Sequence, residues 1–151
     1  MQVVLSGYNI ERFDLPIAYR IMGSILQDFS GFLTADLYTI AMRDYPTHDH
    51  QLGELYKSIL HKDPVNAHDA TADCYMVADL LSYHCAEKEF TPVKLAESLK
   101  EPKVLDIMPF GKYKGQHTST IPRGYWEFCK KKFTDTHKDV ACTIDHYLKY
   151  S

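Results

Sequence analysis

The chain has no Cys-x-x-Cys pair and no tight Cys/His cluster with zinc spacing. This sets aside zinc ribbons and dithiol redox centres. Its four cysteines, Cys74, Cys85, Cys129 and Cys142, are scattered and are expected to be reduced packing residues. No apolar run approaches the roughly 20 residues of a membrane span. Met1 to Ser6 lack the charged region and long apolar core of a signal peptide; they read as a buried strand, and a cytoplasmic location without membrane contact is expected. There are no internal repeats and no low-complexity stretch, which sets aside solenoids and disordered arrays. His48, His50, His61, His84, His117, His137 and His146 form no ligand set by spacing and are expected to be solvated.

What is present is an ordinary globular composition: 151 residues, 45% apolar and 25% charged. This is enough for one core and a small appendage. Eleven tyrosines favour half-buried faces and grooves, because the ring packs while the hydroxyl stays wet. The net charge of −3 hides an asymmetry. Residues 1–99 carry 7 Lys/Arg against 14 Asp/Glu, whereas residues 100–138 carry 9 against 4. An acidic body suits cations; a basic appendage suits phosphates. A solvated lysine face is the plainer account of the second.

The periodicity predicts a strand at 2–6, ended by Gly7-Tyr8-Asn9, and a helix from Ile10 to about Asp28 with a stripe of Phe13, Ile17, Ile21 and Ile25. Pro16 fits its first turn. Gly31 to Thr34 reads as a short strand, and Asp36 starts or caps a helix over Leu37, Ile40 and Ala41. Further helices are expected over Leu52–Leu60 and from Ala67 to about Glu87, the latter turning Ala70, Cys74, Val77, Leu80 and Leu81 inward. The organisation expected is 1–90 as one domain, 91–106 as a linker and 107–151 as a small basic module. In that module Met108 to Gly115 reads as a hairpin, Arg123 to Phe133 as a helix, and Thr136 or Asp139 as the cap of a last helix.

Two phrases carry chemistry. Asn9-Ile10-Glu11-Arg12-Phe13-Asp14 follows the first strand, and His68-Asp69-Ala70-Thr71-Ala72-Asp73 opens the long helix. An imidazole takes a proton from water, and carboxylates hold a hard divalent cation. Taken singly, Asp14 is a dipole partner at a helix start and Asn9 a turn residue.

Together the phrases Asn-x-x-x-Phe-Asp and His-x-Ala-x-x-Asp, in that order and about 60 residues apart, resemble the second and third motifs of the DEDDh 3′–5′ exonucleases, of ribonuclease-H-like fold. The resemblance implies an α/β, helix-rich C-terminal part of that fold. It implies that His68 is the general base, Asp14 and Asp73 are metal ligands, and Asn9 and Phe13 line the substrate cleft. It also implies a two-metal Mg²⁺ or Mn²⁺ centre, with ions roughly 3.5–4 Å apart, hydrolysing DNA 3′ ends. The family's first motif, Asp-x-Glu on a strand, does not occur in the chain. The expectation is therefore an incomplete or split exonuclease, with a second chain completing the sheet or a homo-oligomer. The alternative is a nuclease-dead module that binds nucleic acid or protein.

Phe110-Gly111-Lys112-Tyr113-Lys114-Gly115, followed by Pro122-x-x-Tyr125-Trp126, is similar to the small α+β module at the C-terminus of exodeoxyribonuclease X-type proteins. Glycines admit a close backbone approach to phosphate, and Lys112 and Lys114 add charge. Tyr113 and Trp126 are candidates to stack on single-stranded DNA; for Trp126 a place in the module's own core is the favoured alternative.

Overall fold

A computed structural model describes residues 2–23, 31–66 and 69–150. The chain is mixed α/β and helix-rich, and it divides into two compact units: 1–40 with 48–100, and 41–47 with 101–151.

In the first unit β1 (Val4–Gly7) pairs in parallel with β2 (Leu33–Asp36), in the register Val4↔Leu33 to Gly7↔Asp36. Between them comes α1 (Asp14–Met22), as a parallel connection requires. A Cβ on Gly7 would lie 2.0 Å from Ile10 Cγ2, so the turn out of β1 closes tightly only over glycine. α2 (Leu37–Asp44) follows β2 directly and contributes its first four residues to this unit. α3 (Leu52–Leu60) buries Leu55, Tyr56 and Ile59, and packs on α4 (Ala70–Lys88). α4 also packs against β1, and α5 (Pro92–Lys100) against both strands.

Several expectations are revised. α1 starts at Asp14 rather than Ile10, because residues 9–13 are spent on turns: Phe13 N–H donates to the Asn9 carbonyl at 3.2 Å, and Leu15 N–H to that of Ile10 at 2.9 Å. Its predicted stripe is not buried. Phe13 is 56% exposed, Ile17 46% and Ile21 75%; Ile25 lies outside the described residues. Pro16 sits in the first turn, where its missing N–H is harmless. α4 buries Met76, Leu80 and His84, while Ala70 and Cys74 face solvent. Within the stretch 91–106, where Thr91 to Leu95 reads as the start of a short helix, α5 buries Leu95, Ala96 and Leu99.

The second unit joins the end of α2 to α6 (Arg123–Lys132) and α7 (Lys138–Tyr150), which pack on each other. Residues 106–118 fold back on themselves. Met108 N–H reaches the Gln116 carbonyl at 2.9 Å, and Thr118 N–H the Asp106 carbonyl at 2.9 Å. The expected hairpin is reduced to one antiparallel bridge, Ile107↔His117. Trp126, 1% exposed, stacks on Tyr147 at 5.1 Å and 9°, so it is core and not a base-stacking residue. Cys129 is also buried; all four cysteines are unbridged, and Cys74 is exposed.

Asp139, fully buried, is an anchor rather than a cap. It accepts from Arg43 Nε at 2.7 Å and Nη2 at 3.0 Å, and from Lys103 N–H at 2.9 Å. His137 takes the expected place of Thr136 or Asp139 at the start of α7; its Nδ1 accepts from Asp139 N–H at 3.2 Å. His84 and His137 are thus buried, not solvated.

Removing one partner of a buried ion pair strands the other. Asp139→Ala is expected to destabilise the protein by about 3–5 kcal/mol, read as a shift in the urea midpoint. A close contact explains Gly111, whose φ is +70° and whose added Cβ would lie 2.6 Å from the Tyr125 hydroxyl oxygen. Gly111→Ala should lower Tm sharply. In a Tyr125→Phe background, where that oxygen is gone, the added cost should fall to the backbone term of about 1 kcal/mol.

Candidate functional site

The Asn9–Asp14 phrase is built around Asp36. This carboxylate ends β2 and is 1% exposed. Its Oδ1 accepts from Asn9 N–H at 2.7 Å and Tyr38 N–H at 3.0 Å, and its Oδ2 accepts from Glu11 N–H at 3.2 Å. One side chain therefore caps α2, as the sequence predicts, and also holds the turn between β1 and α1. Asn9 takes φ +60°, the left-handed region that asparagine tolerates. Glu11 Oε1 accepts from the Thr34 hydroxyl at 2.8 Å, a second tie from this turn to β2. Asn9 Oδ1 is buried with no hydrogen-bond partner among the described residues.

Tyr8 and Tyr38 flank this turn, their rings edge-on at 5.5 Å. Tyr8 donates to the His50 carbonyl. Burial raises the phenolic pKa of both residues; for Tyr8 the neighbouring Tyr38 and Asp36 add to it.

The predicted metal ligands lie at two helix starts. Asp14 is the first residue of α1 and exposed; Asp73 is in the first turn of α4 and half-buried. Each places a carboxylate where the helix dipole favours negative charge. Asp69 caps α4, accepting from Thr71 N–H at 3.1 Å. His68, the predicted base, lies outside the described residues. Phe13 is exposed, with the Arg12 guanidinium 5.6 Å from its ring centroid. A cleft of about 400 Å³ opens beside the start of α4, lined by Tyr56, Asp63, Asn66, Asp69 and Tyr75 among others; neither Asp14 nor Asp73 lines it.

Carboxylate oxygens suit Mg²⁺ or Mn²⁺ in kind, but not in number here. Among the described residues no three His, Cys, Asp or Glu side chains come together to hold a metal ion. These residues alone do not fit a resident two-metal centre.

Lys112 and Lys114 are exposed in the second unit, on the loop where Lys114 N–H donates to the Gly111 carbonyl at 3.2 Å. Sequence reasoning assigned Asp36 a cap alone and passed over Phe128 and Lys132. A carboxylate at the junction of a strand and a helix was the available signal for the first. For the other two, an apolar ring and a lysine four residues apart on one helix were the signal.

No family profile, curated protein or solved structure matches this chain. Among the described residues no helix is long and apolar enough to cross a membrane.

Burial holds the Asp36 carboxyl above its ordinary value of 3.8, outweighing the three N–H groups that pull it down. An acid with a raised folded pKa binds its proton more tightly in the native state than in the unfolded chain. Its stabilising contribution is full below the ordinary value and is lost as pH rises through the folded pKa. Asp36→Asn removes that component. The Tm difference between variant and wild type should therefore move in the variant's favour as pH rises from about 3 to 7, which melts at stepped pH will read.

Proposed function

We propose that the chain is the C-terminal part of a metal-dependent 3′–5′ exonuclease of ribonuclease-H-like type, acting on DNA 3′ ends in an incomplete or split form. The observation that carries this reading is one connection. β1 runs through the Asp36-held turn to Asp14 at the start of α1, and α4, with Asp73 in its first turn, packs against that same strand. In this reading Asp14 and Asp73 are the chain's share of a Mg²⁺ or Mn²⁺ centre, and His68 takes the proton from the attacking water. Asn9 and Phe13 border the terminal nucleotide, and Lys112 and Lys114 meet phosphates. Were Mg²⁺ or Mn²⁺ held by Asp14 and Asp73 together with carboxylates from elsewhere, it would supply charge stabilisation to the phosphodiester undergoing hydrolysis. The remaining carboxylates come from outside the residues seen here, from a partner chain or a further segment.

A second reading, a nuclease-dead binding module, is favoured by the two-carboxylate donor set. Mn²⁺ titration separates the two. The nuclease reading expects binding that is lost in Asp14→Ala and in Asp73→Asn; no binding at millimolar metal selects the binding module. The chain alone is expected to trim a labelled single strand poorly. Robust Mg²⁺-dependent trimming abolished by Asp73→Asn would overturn the incomplete site.

A further inference from the structure

The second unit carries a row of three rings on its surface. The centroids of Tyr113 and Tyr125 are 4.7 Å apart, with the rings edge-on at 70°; those of Tyr125 and Phe128 are 5.9 Å apart at 32°. Phe128 is 49% exposed, whereas Trp126, two residues earlier on α6, is 1% exposed. The core has thus taken the indole and left the phenyl ring in water. Each end of the row carries a cation: Lys112 Nζ is 5.5 Å from the Tyr113 ring centroid, and Lys132 Nζ is 5.4 Å from that of Phe128. The neighbouring acid, Glu127, is paired with Arg123 at 3.2 Å. The surrounding stretch, residues 100–138, carries 9 Lys/Arg against 4 Asp/Glu.

From this arrangement we infer that the Tyr113–Tyr125–Phe128 row is a stacking platform for single-stranded nucleic acid, with Lys112 and Lys132 neutralising its phosphates. An exposed ring, Phe128, beside two half-buried ones, Tyr113 and Tyr125, with a cation at each end suits a sequence-tolerant single-strand surface: every base has a face to stack, and the backbone supplies the negative charge. An acidic polypeptide would engage the lysines and leave the rings wet. A single strand uses both. The platform deepens the exonuclease reading, on which it rests for its place in function, by naming a surface of the second unit that holds the strand.

Tyr125, the middle ring, is fixed by packing. The phenolic oxygen sits over Gly111, and burial raises its pKa. Phe128 is the member that can be changed without touching the core.

The test is fluorescence anisotropy of the full chain with labelled oligothymidylate, in EDTA so that nothing is cut. Wild type should bind the single strand more tightly than a duplex of the same length. Phe128→Ala should weaken binding about tenfold at unchanged Tm, and Phe128→Trp should restore it. Lys112→Ala with Lys132→Ala should lower the log–log salt slope by about 1.4. Wild-type affinity in both Phe128→Ala and the double lysine variant overturns the platform. So does displacement by polyglutamate with Phe128→Ala indifferent, which would mark an acidic-polypeptide surface. Binding in EDTA reads the platform alone and Mn²⁺ titration reads the metal ligands alone, so each idea fails separately.

Discussion

The first unit depends on one buried carboxylate. Asp36 stands at the end of β2 and accepts three backbone N–H groups, two from the turn after β1 and one from the start of α2. Backbone donors at such a turn cannot be left dry without cost. One residue answers for all three, and a charged acceptor makes the bonds stronger than neutral ones. The direction in which α1 leaves the sheet, and with it the placement of Asp14, follows from where that carboxylate sits. Ser6 adds a second tie between the strands, its hydroxyl donating to the Ala35 carbonyl at 3.0 Å.

Much of this was legible from residue order alone. The strand–turn–helix opening, the second strand, the helix at Leu52–Leu60 and the long helix after Pro64 all announce themselves through periodicity and punctuation. α1 did not. Its stripe of Phe13, Ile17 and Ile21 has the spacing of a buried face, yet it is exposed, because periodicity reports that a face is apolar and not what covers it. α5 was legible in part: Thr91 to Leu95 read as the start of a short helix within a connector, and Pro92 does sit at a helix start, where proline costs nothing; its packing against both strands was not foreseen.

The candidate site was legible in part. Asp14 and Asp73 stand at helix starts as their phrases suggested. The role of Asp36 was hidden because its partners are main-chain groups 25 and 27 residues away, and backbone donors leave no mark in composition. In the second unit the glycine-and-tyrosine phrase has an architectural part. Gly111 is glycine because the Tyr125 hydroxyl lies against it. Trp126 and Phe128 share a helix but face opposite fates; α6 periodicity places them on different sides, and only the packing of α7 decides which side is interior.

The anchor at Asp139 has a practical consequence for dissecting the chain. The unit it holds together is discontinuous: Arg43 arrives from the end of α2, nearly a hundred residues ahead in sequence. A truncation beginning at residue 101 keeps Asp139 but discards the guanidinium that neutralises it, leaving a naked anion in an apolar interior. The basic module is therefore not a portable fragment. Grafting it onto another protein, or expressing it alone, requires the 41–47 segment to travel with it.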